Sequence, residues 1–322
     1  MRKVSSISNW PGNQRGVAMI LTLLILTLLV TTGLELNRAM QVEANLAGNF
    51  RDLTQASYIA QSGVEIARAL IQEDEPSYDS SDERWAQFET LAVFSSQLFK
   101  EGHFTGQIMD ESSKFNPNGL VDSFGIVNQK KKNQLERLFS LLGHNPEKID
   151  AVLDWLDPDE QKRPLGAERE YYASLKRSYV PKNGPLESLG ELLMIKGIDI
   201  ITFYGADERE GLGQYLTLYS DGKININTAG IQVLMSLSPR VDQSMAQAVL
   251  GYRSTKPFRL NEDLRSIPGW DQIYAEISSE ITVRSNFFSV GVLGYYRDAR
   301  AAVQTVVKRE GRKTKVLFWK AG

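Results

Sequence analysis

The sequence predicts an α+β chain: one long N-terminal helix whose second half packs on a globular domain, a largely helical middle, and a C-terminal antiparallel meander. Three observations carry this reading. No proline interrupts the stretch from Val17 to Glu75, where apolar residues recur at helical spacing. Helix-type periodicity fills residues 119–213 and returns in shorter runs from Ile231 to Ser278. The segments Phe287 to Tyr295, Ala301 to Lys308 and Lys315 to Trp319 alternate as strands, divided by turns at Arg297-Asp298 and Gly311-Arg312.

The helix comes first. Val17 to Leu34 carries no charge, and at 1.5 Å per residue such a run reaches about 27 Å, close to the hydrocarbon thickness of a bilayer. Residues 17–34 therefore read as a single transmembrane span. Arg2, Lys3 and Arg15 precede it without an acid, and Glu35 and Glu43 follow it, so the N-terminus is expected in the cytoplasm and everything beyond residue 40 outside. A cleaved secretory signal would need a small-x-small site after the apolar core, and Glu35-Leu36-Asn37-Arg38-Ala39 offers none. The small residue, Gly16, stands before the run instead. Beyond the span, Val42, Leu46, Phe50, Leu53, Ala60, Val64, Ala67 and Ile71 keep one helix face apolar, which predicts one helix over 17–75. Gly33, Gly48 and Gly63 cost it about 1 kcal/mol each.

Residues 76–118 read as a core helix and strand: Glu83 to Lys100 is helical, Gly102 stops it, and His103 to Met109 alternates. Two segments then echo each other, Lys114-Phe115-Asn116-Pro117-Asn118 and Lys223-Ile224-Asn225-Ile226-Asn227. In each, asparagine side chains are placed to accept the free N–H groups of the helix that follows. Residues 119–280 read as largely helical, with a short strand expected at 215–219, and residues 281–322 close the chain as antiparallel strands.

Composition removes several functions. The 322 residues are 42% hydrophobic, enough for a real core, and contain no cysteine, so thiolate catalysis and cysteine metal sites are excluded. The formal charge is −2 and becomes more acidic without Arg2, Lys3 and Arg15, which argues against a general polyanion binder. His103 and His144 lack metal-ligand spacing, and no acid/base pair sits with a partner residue, so no enzyme is expected. Asp157, Asp159, Glu160, Glu168 and Glu170 gather five carboxylates around Pro158, Pro164 and Gly166. Hard oxygen ligands in a loop suit Ca²⁺, making these five the candidate calcium ligands, although the run does not match an EF-hand.

The Gly16/Val17 junction, a glycine after a short basic leader and ahead of a retained apolar helix, resembles a type IV prepilin signal. Further pieces occur in order: Asp110-Glu111 with Lys114-Phe115-Asn116 and Asn118; Asp154-Trp155-Leu156-Asp157 with Gly166-Ala167-Glu168 and Tyr171-Tyr172; Asn183-Gly184-Pro185-Leu186; and Ile224-Asn225 with Asn227-Thr228-Ala229. Together they resemble general secretion pathway protein K, the large minor pseudopilin family of bacterial type II secretion, over essentially the whole length. The resemblance implies a type IV pilin-like fold, the long N-terminal helix lying on an antiparallel sheet and residues 119–280 forming a large inserted α-helical domain, with cleavage of residues 1–16 by the prepilin peptidase after Gly16 and N-methylation of Val17. It implies calcium binding, and an inner-membrane, single-pass protein whose globular part lies in the periplasm. Its implied partners are the minor pseudopilins I and J and other pseudopilins, with contact to secreted exoproteins possible. The side-by-side helix packing with those partners falls to the stripe of Val42, Leu46, Phe50, Leu53 and Val64. Ordinary pilins carry Glu at the fifth mature position, here Leu21. A buried unpaired carboxylate is costly, so the apolar residue implies a place at the pseudopilus tip. A minor pilin of a type IV pilus shares the same leader and core.

Residues 225–269 also resemble a helix-hairpin-helix (SAM-like) unit of the kind that grips DNA phosphate through a Gly-x-Gly turn. Here that turn falls on Arg240-Val241-Asp242. Both glycines are missing and an acid stands in the second place, so the hairpin fold is expected without nucleic-acid binding, against the alternative of a membrane-anchored DNA receptor.

Overall fold

The computed structural model describes residues 14–74, 77–206 and 209–322. Most of the expected leader, residues 1–13, and the expected helix end at Glu75-Pro76 lie outside them. Helix α1 runs over Gln14–Glu73, so Gly16 and Val17 fall in its first turns. The chain divides into two units, one ending at Gln55 and the other spanning Ala56–Gly322, with α1 belonging to both. In the first unit the apolar side chains are bare: Leu21, Val42, Leu46, Phe50 and Leu53 are all exposed, Phe50 by 73%.

In the second unit the same helix is an interior element. Ile59, Ala60, Val64, Ala67 and Ile71 pack on a four-stranded sheet through Phe104, Ile108, Phe288, Val290, Val292, Val303 and Val307. Val64 therefore leaves the predicted partner stripe: it is 0% exposed against this chain's own sheet, and no second helix can reach it. The stripe changes hands where the sheet begins.

The sheet is antiparallel in the order β1-β6-β7-β8, formed by β1 (Gly102–Asp110), β6 (Phe287–Tyr296), β7 (Ala299–Glu310) and β8 (Lys313–Ala321). Between β1 and β6 the chain inserts α3 (Gln129–Leu141), α4 (Ile149–Leu156), α5 (Arg169–Ala173), α6 (Ile200–Tyr204), the tiny ribbon β2 (Gly205–Ala206) and β3 (Arg209–Glu210), β4 (Ile224–Asn225), α7 (Ile231–Ser236), α8 (Gln243–Arg253), α9 (Asp271–Ile277) and β5 (Ile281–Thr282). Two apolar cores organise this insertion. One gathers Phe115, Leu135, Phe139, Trp155, Tyr172 and Leu216. The other gathers Ile226, Leu234, Val249, Phe258, Trp270 and Ile281.

Three local readings change. The helix expected over Glu83 to Lys100 is only α2 (Phe88–Ala92) continued by a 3-10 turn over Val93–Gln97. Ser95 explains the tightening, because its hydroxyl turns inward to accept the Phe104 N–H at 2.9 Å and donate to the Phe104 carbonyl at 3.0 Å. The strand expected at 215–219 is a 3-10 turn, Leu212–Tyr215, followed by a single parallel bridge between Leu216 and Phe115. Phe115 exchanges backbone bonds with Tyr215 and Thr217, both at 2.9 Å. Past it, the Thr217 hydroxyl accepts the Tyr219 N–H and bends the chain away. Gly63, expected as a tolerated weakness, is a packing requirement: a Cβ there would stand 2.8 Å from Val292 and 3.0 Å from Phe104.

Gly294 faces the same helix from β6, where a Cβ would lie 2.2 Å from the Ala56 carbonyl oxygen and 2.5 Å from the Ala60 nitrogen. Both are helix backbone and have nowhere to go. Gly294→Ala is expected to cost about 1–3 kcal/mol of overpacking strain, read as a lower urea midpoint. An unchanged midpoint would mean that α1 is not seated this closely.

Candidate metal centre

Helix α4 ends in acids. Asp154, in its last turn, is fully buried and accepts from the Arg163 backbone N–H and from Arg163 Nη1 at 2.7 Å. Asp157 caps the C-terminus in an extended conformation, also buried, and its Oδ2 pairs with the same Arg163 Nη1. The loop then returns along α4 so closely that a Cβ on Gly166 would lie 1.8 Å from Asp154 Oδ2. Only glycine fits there, which accounts for its position in the Gly166-Ala167-Glu168 motif. Glu168 follows at the N-cap of α5 and is 5% exposed.

One carboxylate oxygen each from Asp157, Asp159 and Glu168 lies within 4.8 Å of the others, the spacing of ligands around a cation that takes oxygens at about 2.3–2.6 Å. Asp157 Oδ1 and both oxygens of Glu168 are buried without a hydrogen-bond partner, and so is Oδ1 of Asn183. Asn183 is held beside them in the left-handed region at φ 48°, with its Nδ2 donating to the Asp159 carbonyl at 2.7 Å. Burial pushes the Glu168 carboxyl up to about 8, and the charges of Asp154 and Asp157 add to that. Burial likewise raises Asp154 and Asp157 despite Arg163. Orphaned buried oxygens and mutually repelling carboxylates are a donor set that a bound cation would satisfy.

Of the five acids expected to bind, the structure brings together Asp157, Asp159 and Glu168. Glu160 instead pairs with Arg169 at 3.1 Å on the exposed side, and Glu170 is exposed in the first turn of α5. Asn183 was missed as a ligand candidate because it stands far down the chain and carries no charge. Its signal was present: it opens the Asn183-Gly184-Pro185-Leu186 motif.

A second acidic group, Asp74, Asp79 and Glu83, already holds a cation. Arg309 donates to Asp74 at 2.7 Å and to both oxygens of Asp79 at 2.6 and 2.7 Å. Next to it, buried Asp110 at the end of β1 accepts from Ser112 N, Asn225 Nδ2, Thr228 Oγ1 and Ser285 Oγ, all within 3.0 Å. The paired Asp110 and Asn225 motifs are thus a structural lock between sheet and insertion. In the hairpin from α7 to α8, Asp242 caps α8 by accepting the Met245 N–H at 2.8 Å, so the acid in the second turn position closes the helix end that a phosphate would otherwise use.

Along α1, the segment Gly16–Glu73 contains a window of mean hydropathy 2.5 that is long and apolar enough to cross a membrane. Comparison with known proteins adds to this geometry. Family models described as type II secretion system (T2SS), protein K match residues 113–204 and 224–284. The chain is 28% identical to type II secretion system protein K of Pseudomonas aeruginosa, over 78% of this chain and 75% of that one. It is 26% identical to the protein of the same name from Aeromonas hydrophila, over 95% and 96%. A crystal structure of the GspK-GspI-GspJ complex from the type 2 secretion system of enterotoxigenic Escherichia coli contains a chain of the same fold. That chain matches at TM-score 0.68 and 16% identity, covering 86% of this chain and 99% of that one.

Proposed function

Because the chain belongs to the type II secretion system protein K family, we propose that it works as a non-enzymatic minor pseudopilin at the tip of the secretion pseudopilus, helping to initiate the filament that moves folded proteins across the outer membrane. The observation that carries this reading is the division of α1. From Leu21 to Leu53 its apolar side chains are bare, and from Ile59 onward they are buried in the sheet domain. A helix whose exposed half is uncharged to Leu34 and carries an apolar stripe among polar residues beyond it suits insertion in lipid and then packing against sister helices.

Further parts of the reading rest on the sequence. The prepilin peptidase cuts after Gly16, Val17 becomes the methylated N-terminus, and α1 anchors the protein in the inner membrane with its globular part in the periplasm. Leu21 leaves no acid to pair with a subunit above, as a tip position requires. The partners are the minor pseudopilins I and J, which meet α1 through Val42, Leu46, Phe50 and Leu53.

Calcium belongs to the same proposal, held by Asp157, Asp159, Glu168 and the side-chain Oδ1 of Asn183. When bound it supplies positive charge beside Asp159 and Glu168, to a cluster whose Arg163 pairs with Asp154 and Asp157. The chain's own residues fix the loop between α4 and α5 around it, Arg163 from Asp154 and Asp157, and Gly166 by its close approach to α4.

Co-expression with I and J subunits of the same secretion system tests the assignment. A heterotrimer is expected on size exclusion, with this chain beginning at methylated Val17 by mass spectrometry. Leu46→Glu with Phe50→Glu is expected to abolish the heterotrimer while leaving thermal unfolding of the sheet domain unchanged. A chain that begins at Met1 and elutes alone would overturn the proposal.

A further inference from the structure

The two edges of the main sheet are treated differently. The outer edge of β1 is covered: α2 and the turn after it lie against it, and the Ser95 hydroxyl satisfies both the N–H and the carbonyl of Phe104. The outer edge of β8 has no such cover among the described residues. Arg68 and Gln72 of α1 reach its start, at Thr314, and nothing continues along Lys315–Ala321. Four consecutive apolar residues stand exposed there, Val316, Leu317, Phe318 and Trp319, the last by 41%.

The side chains on this edge are sorted. Val316 pairs with Val307 and Trp319 with Thr305, which places them on the face that α1 packs against. Lys315, Phe318 and Lys320 pair with Lys308, Val306 and Gln304 on the opposite face. Leu317 takes the bulge between Val306 and Val307. Lys313, Lys315 and Lys320 have no ion-pair partner among the described residues, and β8 contains no acid. Lysines on an edge guard against pairing with a second copy, since like charges oppose each other across the new ladder. The same charge selects what can join.

We propose that the outer edge of β8 docks an extended acidic segment of another polypeptide, which adds to the sheet as a fifth strand with apolar side chains beside Val316 and Trp319 and carboxylates beside Lys313, Lys315 and Lys320. Strand addition supplies the backbone bonds that the bare edge lacks, and the alternating faces supply specificity.

The test uses the full chain in detergent and three fluorescein-labelled decapeptides read by anisotropy: alternating Glu-Val, alternating Lys-Val, and a block peptide of five Glu then five Val. The Glu-Val peptide is expected to bind roughly tenfold tighter than either of the others, the sum of two or three favourable cross-strand charge pairs. Lys313→Glu with Lys315→Glu and Lys320→Glu is expected to reverse the order in favour of Lys-Val. Equal binding of all three peptides by the unmodified chain, or a preference untouched by the charge reversal, overturns the proposal. So does an unmodified chain that pairs with itself through β8.

Discussion

Replacing Arg309 by Met is expected to cost about 3–5 kcal/mol of stability, the scale of breaking a buried pair from one side. Arg309 is buried on β7 and ties three distant pieces together: Asp74 after α1, Asp79 in the following loop, and the Ser285 carbonyl at 2.7 Å where the insertion returns to the sheet. Asp79 also accepts the Ser285 N–H at 2.7 Å. Met fills the volume of the stem, so packing is largely kept and the loss measures the stranded carboxylate. Arg309→Met with Asp79→Asn is expected to recover more than half of the cost, since the double variant leaves no buried charge at Asp79. Urea titrations of the four species of this cycle check both numbers. A single-variant loss below about 1 kcal/mol would show that the pair behaves like an exposed one.

This lock also marks the limit of what the sequence disclosed. The long helix, the antiparallel strands and the helical runs between them follow from local periodicity, because 3.6-residue and two-residue repeats are written along the chain; that those runs interrupt the sheet domain came only with the family resemblance. Asp110 and Asn225 were visible as motifs. Their meeting was not, since the two residues stand 115 positions apart and no spacing rule joins them. Residues 215–219 misled for a related reason. Tyr215 to Tyr219 alternates like a strand, but the segment finds only Phe115 as a partner, and Thr217 turns its hydroxyl to the backbone and to Glu111. Val64 carried the right periodicity for either a partner helix or an internal sheet, and periodicity cannot say which surface arrives. In the candidate metal centre the acids were legible as a cluster, yet a count of carboxylates does not reveal which ones fold inward. Glu160 and Glu168 differ in burial because the close approach at Gly166 draws the chain inward just before Glu168, and Glu160 stays outside with Arg169.

Without calcium, the stability of the chain is expected to fall as pH rises from about 4.5 to about 8. The sign follows from Glu168. Its carboxyl is pushed up to about 8 in the fold, by burial first and by Asp154 and Asp157 next, from an ordinary 4.5. Between those values the native state keeps a proton that the unfolded chain has released, so each step up in pH favours unfolding until the folded group ionises as well. A carboxylate whose pKa is lowered in the fold gives the opposite slope. On the calcium proposal the ion would take the place of that proton and is expected to raise stability by about 2.7 kcal/mol at a hundredfold excess over its dissociation constant, at pH 8 but hardly at pH 5, where the proton competes. Glu83, pushed up to about 7 mainly by burial, adds a slope of the same sign that calcium does not touch. Glu168→Gln separates the two: the neutral amide removes the calcium-sensitive part, leaves the Glu83 part, and makes the calcium-free protein more stable than the parent at pH 8. Thermal unfolding by circular dichroism at pH 5, 6.5 and 8, in chelator and in 10 mM calcium, reads all of these. An equal calcium response in the parent and in Glu168→Gln would remove Glu168 from the metal centre.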